Sequence, residues 1–555
     1  MAVTLAVVAA PTLGAQAARP TDGYHTAARL SAALDSVARA NRGFVTLSTI
    51  ATSPGRRPVQ LVRLGDSDEK PALLILAGAY GPQVASSEVA LRIVKEIAAR
   101  RGAIFADYTI YVIPRLNPDA SESFFGSVRA ERKGNDQHSD DDRDGVVNED
   151  GPNDLNGDGL ITMMRVRVDV GGTHFVDPVD PAIMRRADAA KGETGTHKLF
   201  TEGRDDDGDE LFNEDGLGGT DISANFANNY PWFEAGAGLH QFSAAESRAV
   251  AEFVSERANI AAVYVLGMQD NIIKPWEGRR VPGISGNAQG TSAGGPLTAI
   301  LPEDTPWFAE VSKRFTGTSK SDAPASAAES GDPLSWAYYH MGRFAFGSRV
   351  WWPGKAAADT AAGRKAPSPD PVADERNQYR WMKANNPAGF VEWTAVPGFT
   401  IEGKPVEVGG FAPFALLNPA GSMLDSLGKQ QADWVLELAK MMPKVSVVSP
   451  VTVEAVGARV WRVKATVTNG AFLPSNAGIG VRSRLPMRVK VELGLGANHV
   501  LSSGRKLQFI NALRGSGSTE DFEWVVVGDA GSTVTLTVGA PNAGMSTQTI
   551  TLRAR

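Results

Sequence analysis

Residues 71–94 read PALLILAGAYGPQVASSEVALRIV and combine the patterns of a strand, a loop and a helix. Residues 73–77 are a short apolar run with the length and composition of a buried strand. A turn-rich connection covers 78–87, and apolar side chains recur at helical spacing from Glu88 to about residue 100. In open α/β sheets ligands bind at the carboxyl ends of the strands, so this loop is expected to be a functional site.

The bulk composition limits the function classes that the chain can belong to. A chain of 555 residues is too long for one core, so at least two domains are expected. The net charge of −6, without a basic stripe, argues against a nucleic-acid-binding protein. The absence of cysteine excludes a disulfide framework and thiolate chemistry.

The first residues have the features of an export signal. Residues 1–17 contain an apolar run that ends in Ala15-Gln16-Ala17, a cleavage-like site, although a basic segment before the run is missing. No later stretch is long and apolar enough to span a membrane. We therefore expect a signal peptide at 1–17, secreted or periplasmic localisation, and no membrane span.

The loop at 80–83 resembles the first metal-binding loop of zinc carboxypeptidases, the carboxypeptidase A-like family. In that family the strand is followed by His-x-x-Glu, which supplies two zinc ligands. Here those two positions are Tyr80 and Gln83. The strand predicted at 260–266 is similar to the family strand that ends in the third ligand, a histidine, and Gly267 stands at that place.

Other segments resemble the family while lacking its functional side chains. The run Asp221–Phe226 is similar to the family's Asp-x-Asn-Arg-Asn motif, but Ser223 and Ala224 replace the pair that binds the substrate carboxylate. The segment that begins at Gly331 leads to a strand whose last residue is the catalytic glutamate in the family and Arg349 here. Arg132 matches an arginine that polarises the scissile carbonyl, so it is either a retained functional residue or a surface arginine.

The resemblance implies a carboxypeptidase-like α/β domain over residues 20–442, with a mixed sheet flanked by helices. It also implies a pocket that has lost zinc and the catalytic base, because six matching positions differ while the flanking scaffold remains. An arginine cannot take a proton from water, but it can bind a carboxylate through two hydrogen bonds. Arg349 is thus expected either to pair with an internal carboxylate or to bind an acidic ligand end.

An acidic insertion at 136–216 contains three repeats that resemble calcium loops. Each repeat offers oxygen ligands at alternate positions, as an EF-hand-type loop does, and dense carboxylates repel one another without a cation. The alternative is a solvated acidic loop. The calcium candidates are Asp140, Asp142, Asp144, Asp150, Asp154, Asn156, Asp158, Asp205, Asp207, Asp209 and Asp215.

The last part of the chain changes pattern. From 445 to 555 short alternating runs at 458–468, 486–493, 522–527, 532–538 and 547–552 are separated by turns rich in Gly, Asn and Ser. This pattern predicts an antiparallel β-sandwich. Its role is either to pack against the first domain or to bind a cell-surface polymer.

The seven histidines do not form a substitute zinc site by spacing. No two are three or four residues apart, as a helical pair would require. His138-x-x-Asp141 and His174-x-x-Asp177 have ligand-like spacing, but neither follows a core strand. We expect all seven to be surface or hydrogen-bonded histidines.

Three functional interpretations follow. The first is a secreted, calcium-stabilised pseudopeptidase that has lost zinc and binds peptides or cell-wall fragments in the old cleft. The second is an active metallocarboxypeptidase whose ligands lie elsewhere in the chain. The third is a structural or adhesion protein that acts through the β-sandwich.

Overall fold

The computed structural model describes residues 19–138, 145–148, 150–206, 208, 212–213, 216, 218–276, 299–319, 323–324, 326–354, 372–485 and 487–553. The predicted signal peptide lies outside these residues. The helices are α1 (Ala27–Ala40), α2 (Val84–Arg100), α3 (Pro118–Glu122), α4 (Ala245–Glu256), α5 (Thr305–Ser319), α6 (Pro333–Tyr339), α7 (Ala373–Asn385), α8 (Leu424–Met441) and α9 (Gly478–Arg482).

The strands, in chain order, are β1 (Val45–Thr52), β2 (Pro58–Leu64), β3 (Ala72–Ala77), β4 (Thr109–Ile113), β5 (Met163–Gly172), β6 (His174–Val176), β7 (Met184–Arg186), β8 (Gly195–Thr201), β9 (Ile260–Leu266), β10 (Phe344–Ser348), β11 (Phe390–Ile401), β12 (Lys404–Phe411), β13 (Val445–Val447), β14 (Thr452–Gly457), β15 (Val460–Asn469), β16 (Val489–Gly494), β17 (Val500–Ser503), β18 (Leu507–Ile510), β19 (Ser518–Val527), β20 (Thr533–Ala540) and β21 (Gly544–Thr551).

The first sheet is mixed and has the order β1-β2-β4-β3-β9-β10. Strands β4, β3, β9 and β10 are parallel neighbours, while β1 and β2 form an antiparallel edge. The four parallel strands are buried along their whole length, as expected for strands covered by helices on both faces. The predicted α/β domain with a mixed sheet and flanking helices is confirmed.

Helix α2 begins earlier than its sequence pattern indicates. It starts at Val84, so the loop predicted at 78–87 is only six residues long, from 78 to 83. Gln83 occupies the N-cap position without capping the helix through its side chain, and Asn418 accepts a hydrogen bond from the Ala85 N–H (2.8 Å). This partner comes from a distant part of the chain, which a local pattern cannot reveal.

Helix α4 has no capping box, although Ser243 and Glu246 have the spacing of one. The N-cap residue is Ala244, and among the described residues no side chain of the N-cap position caps the helix. The Ser243 hydroxyl instead accepts a hydrogen bond from the Asn225 side chain (3.1 Å). A tertiary contact thus engages the serine that the local pattern would assign to the cap.

A second, antiparallel sheet was not predicted and has the order β11-β12-β5-β8-β6-β7. Four of its strands lie within the acidic insertion at 136–216. Alternate residues of β5 face a small core that also includes residues of β11 and β12. The insertion is thus a folded layer that carries the acidic loops.

The C-terminal region contains two antiparallel sheets around a core of their own, as a β-sandwich has. Its strands overlap all five predicted runs and add β13, β14, β17 and β18. Leu473, Ala477 and Ile479 belong instead to the hydrophobic core of the first domain. The two regions are therefore packed together and not merely linked.

Among the residues that the structure describes, no helix has both the length and the apolar character that crossing a membrane would require.

Candidate functional site

The ends of three parallel strands define the candidate site. Ala77 pairs with Leu266, and Leu266 pairs with Ser348. Each of these paired residues is followed by a site position, so Gly78, Gly267 and Arg349 lie side by side at the same edge of the sheet. The register of these strands therefore brings the site positions predicted after β3, β9 and β10 to one edge of the sheet.

Tyr80 lies half-buried in the loop after β3. The ammonium of Lys133 lies 5.9 Å from the centre of its ring. Burial, and then the negative charge of Glu131, raise the pKa of the Tyr80 phenol well above its usual value. The phenol therefore stays protonated at neutral pH.

Gln83 and Gly267 offer no charged donor at the same edge. Gln83 is 2% exposed, and its buried Oε1 has no hydrogen-bond partner. At Gly267 a methyl group would come no closer than 3.6 Å to its nearest neighbour, the side chain of Val265. The backbone at Gly267 thus has room for a β-carbon.

Arg349 is the cationic side chain at this edge. Its Nε donates to the carbonyl of Met268 (2.7 Å), and its guanidinium lies 4.7 Å from the centre of the Trp352 ring. Its Nη1 is buried and has no hydrogen-bond partner among the described residues. Within the part of the chain that the structure describes, no carboxylate forms an ion pair with Arg349. Burial lowers the pKa of the guanidinium, although Asp270 and Glu329 oppose that shift.

Asp270 belongs to the same region, although the sequence did not single it out as a site residue. Its Oδ1 accepts hydrogen bonds from the backbone N–H groups of Ile272 (3.0 Å) and Ile273 (2.8 Å), and its buried Oδ2 has no partner. Burial raises the pKa of Asp270 to about 6. Its place after a central strand was the available sequence signal.

Ser223 and Ala224 lie in a short 3-10 turn that the retained motif residues hold in place. The Ser223 hydroxyl donates to Asp221 (2.6 Å), and Ala224 O approaches Gly331 closely. The buried Asn225 side chain donates to Ala237 O (2.8 Å). The surviving residues of the motif therefore support the loop.

Arg132 is engaged in an ion-pair network. Its guanidinium pairs with Asp136, and its Nε donates to Gly134 O (2.9 Å). Asp136 also pairs with Arg57 (2.6 Å), which in turn pairs with the buried Asp119 (2.7 Å). These contacts connect Arg132 to the buried Asp119 through Asp136 and Arg57.

The described acidic residues accept hydrogen bonds from backbone N–H groups of the acidic loops, either their own or a neighbouring one. Asp154 accepts from Gly157 and Gly159, both at 2.8 Å. The buried Asp150 accepts from the N–H of Asn213 (2.6 Å). Three further described candidates are Asn156, Asp158 and Asp205. The candidates Asp140, Asp142, Asp144, Asp207, Asp209 and Asp215 lie outside the described residues.

The described residues contain no group of three or more His, Cys, Asp or Glu side chains placed to hold a metal ion. The structure does bring two histidines together that are distant in sequence. His174 of β6 pairs with His197 of β8 across the second sheet. Spacing along the chain could not have revealed this pair.

Two family models match the chain. Residues 30–164 match the model described as zinc carboxypeptidase, and residues 445–551 match a domain of unknown function. No curated protein matches the chain.

Solved carboxypeptidases overlap the structure loosely. Bovine thrombin-activatable fibrinolysis inhibitor, in complex with tick carboxypeptidase inhibitor, is 12% identical, with 75% of this chain and 96% of that chain covered and a TM-score of 0.40. Carboxypeptidase A from Helicoverpa armigera is 12% identical, with 67% and 76% covered and a TM-score of 0.36. A metallo-carboxypeptidase from Burkholderia cenocepacia is 20% identical over 18% of this chain and 28% of that chain, with a TM-score of 0.16. The fold assignment therefore rests on the family match and the sheet topology.

Proposed function

We propose that this chain, whose residues 30–164 carry a zinc carboxypeptidase domain, is a non-hydrolytic member of that family that binds the carboxylate end of a peptide. The observation that carries the proposal is Arg349 at the strand ends, whose buried Nη1 has no hydrogen-bond partner in the part of the chain that the structure describes. A buried guanidinium N–H without a partner is costly, and a ligand carboxylate would satisfy it.

Zinc, the cofactor of the family, does not fit the residues at this edge. Protein zinc is held by imidazole, thiolate or carboxylate donors. The three positions here offer a protonated phenol, a neutral amide and no side chain at all, in Tyr80, Gln83 and Gly267. The Arg349 cation would also repel a zinc ion placed beside it.

The polar surroundings suit recognition without hydrolysis. Stacking on Trp352 and the hydrogen bond to Met268 O orient the guanidinium of Arg349, which lowers the entropy lost when a ligand binds. The ammonium of Lys133, above the Tyr80 ring, adds a second positive charge to the region. A guanidinium cannot act as the general base that attack by water requires.

The test is the binding of short peptides with a free or an amidated C-terminus, measured by calorimetry on the full chain. We expect the free acid to bind and the amide to bind at least about tenfold more weakly, because a charge-assisted hydrogen bond is lost. Arg349→Gln should remove this preference, and Arg349→Lys should restore only part of it. Arg514→Gln, which changes an exposed arginine of the C-terminal region, is the matched control.

A peptidase assay with added zinc separates this proposal from an active metallocarboxypeptidase. Release of the C-terminal amino acid by the full chain would overturn the non-hydrolytic assignment. Equal affinity for the acid and the amide would overturn the role of Arg349.

The proposal includes calcium in the acidic loops and export from the cytoplasm. The repeated ligand spacing supports calcium, and the sequence of residues 1–17 supports export. Elemental mass spectrometry of the purified protein should find two or three calcium ions per chain and no zinc. N-terminal sequencing of protein from the periplasm or the medium should begin near Ala18.

A further inference from the structure

Four side chains form a row across the second sheet. Arg167 of β5 is paired with His197 of β8. His197 is also paired with His174 of β6, and His174 is paired with Arg186 of β7. Directly paired residues of neighbouring strands point to the same face. Adjacent strands lie about 4.8 Å apart, so the row is roughly 14 Å long.

The two histidines are held in the same way. The Nδ1 of His174 hydrogen-bonds the hydroxyl of the preceding Thr173 (2.8 Å), and the Nδ1 of His197 hydrogen-bonds that of Thr196 (2.9 Å). Neither Nε2 has a hydrogen-bond partner within the described part of the chain. When Nδ1 accepts from the threonine, each Nε2–H is left to donate to a ligand.

The two arginines at the ends of the row form no ion pair with any described residue. Their sequence neighbours behave differently, since Arg165 pairs with Glu407 (2.8 Å) and Arg185 pairs with Glu193 (2.7 Å). Arg167 and Arg186 are exposed, and the histidines are half-buried. The charged groups whose fields reach the histidines are Arg165, Arg167, Arg186 and the paired Glu407.

This charge pattern favours an anion over a metal. Two imidazoles could ligate a divalent cation, but unpaired arginines flank them on both sides, and like charges repel. An anion gains from all four side chains, two as charges and two as N–H donors. Both terminal arginines are exposed, so a linear ligand can reach the two ends of the row.

We propose that the row Arg167–His197–His174–Arg186 is a binding site for a linear acidic polysaccharide. The row is roughly 14 Å long, so a stiff linear chain with a carboxylate on every sugar can contact both arginines and the imidazoles between them. An extended acidic peptide is more flexible, so it loses more conformational entropy when it binds along the row. This row lies on a different sheet from the one that carries Arg349, and its function does not depend on that residue.

The test is calorimetric titration of the full chain with galacturonic acid oligomers at low salt. We expect Arg167→Gln together with Arg186→Gln to weaken binding about tenfold or more, because two charges are lost. Arg29→Gln with Arg39→Gln removes two exposed arginines of α1 and should change the affinity less than about twofold. Undetectable binding, or equal losses in the two double variants, would overturn the site.

Two further readouts address the ligand class and the histidines. Tighter binding of polyglutamate than of galacturonate, lost in the same row variants, would overturn the choice of a polysaccharide.

Burial and then neighbouring arginine charges lower the pKa of both His174 and His197. Bound carboxylates favour the protonated imidazoles, so affinity should rise as the pH falls from 7.5 to 5.5. His174→Gln with His197→Gln should remove this rise, and an unchanged pH profile would exclude the histidines from the site.

Discussion

The carboxylate of Asp304 in the first domain accepts a hydrogen bond from the backbone N–H of Gly478, at the start of helix α9 in the C-terminal region (2.7 Å). Its other oxygen accepts from the Ile479 N–H (3.1 Å) and from the Tyr338 hydroxyl (2.8 Å). A buried acid of one region thus caps a helix of the other. This contact lies beside the apolar residues that the two regions share, including Phe472 against Trp307 (5.2 Å).

Replacement of Asp304 by alanine should destabilise both regions together. The loss of a helix cap costs about 1 kcal/mol, and the unsatisfied Tyr338 hydroxyl adds roughly 1–3 kcal/mol. Urea unfolding followed by fluorescence should show this loss. Glu303→Ala is the control, because Glu303 is half-exposed and makes only a long ion pair with Arg482 (3.7 Å). Equal stability of the two variants would contradict the capping role.

Glu88→Ala should be among the most damaging single substitutions. Glu88 is fully buried and hydrogen-bonds His25 (2.8 Å), Arg92 (2.9 Å) and the His25 N–H (2.7 Å), with Arg115 3.6 Å away. Its removal takes away the described carboxylate nearest to the buried Arg115, which costs roughly 3–5 kcal/mol, although the charge of Glu122 still acts on that arginine. Glu96→Ala, in an exposed pair on the same helix, should cost under about 1 kcal/mol. Thermal unfolding of the two variants compares these losses.

The contribution of Glu88 to the free energy of unfolding should depend on pH in a predictable direction. Burial acts to raise the pKa of Glu88, but the hydrogen bond from His25 and the charge of Arg115 outweigh it, so the pKa lies below its usual value. The unfolded chain then binds the proton more readily, and the stabilisation is lost as the pH falls through the folded pKa. The stability difference between the parent and Glu88→Gln should therefore shrink in acid. A constant difference between pH 7 and pH 3 would contradict this account.

Asp332→Asn should stabilise the protein at neutral pH and not in acid. Asp332 caps α6 through the Ser335 N–H (2.8 Å), and burial raises its pKa to about 6. The folded state holds this proton more tightly than the unfolded state, so stability falls as the pH rises from about 4 to 6, by up to about 3 kcal/mol. Asparagine keeps the cap without a charge.

The matched variant for this prediction is Asp332→Ala, which removes the charge and the cap together. Unfolding at pH 4.5 and pH 7.5 should separate the two effects. A stability gain for Asp332→Asn that is equal at both pH values would show that the charge is not the cause.

A zinc site should appear when the donors that the family resemblance implies are introduced. The variant with Tyr80→His, Gln83→Glu, Gly267→His and Arg349→Glu places two imidazoles and two carboxylates at the strand ends, and the backbone around Gly267 has room for a β-carbon. We expect close to one zinc per chain by elemental mass spectrometry after dialysis, against none in the parent. The variant that lacks only Gly267→His is the control and should hold zinc far more weakly.

Local sequence patterns were sufficient to predict the parallel strands β3 and β9. They also showed which side chains follow those strands. The strand predicted at 260–266 matches β9, and the run at 73–77 lies within β3, because both are apolar and buried on two faces. The register of these strands then places Tyr80, Gln83, Gly267 and Arg349 at one edge. The sequence also contained a period-2 signal for β5 that the acidic loops around it obscured.

Only the tertiary structure decided which distant groups meet. Asp304 and Gly478 are 174 residues apart in the chain, and the partner that caps α2 at Ala85 lies 333 residues away. His174 and His197 become neighbours because β8 lies between β5 and β6. Periodicity reports which face of a segment is buried, whereas hydrogen-bond partners and charge rows depend on the packing of one segment against another. The sequence by itself therefore determined that Tyr80, Gln83 and Gly267 carry none of the zinc donors that the resemblance implies. The fold determined that Arg349, at the same edge of the sheet, forms no ion pair with a described carboxylate.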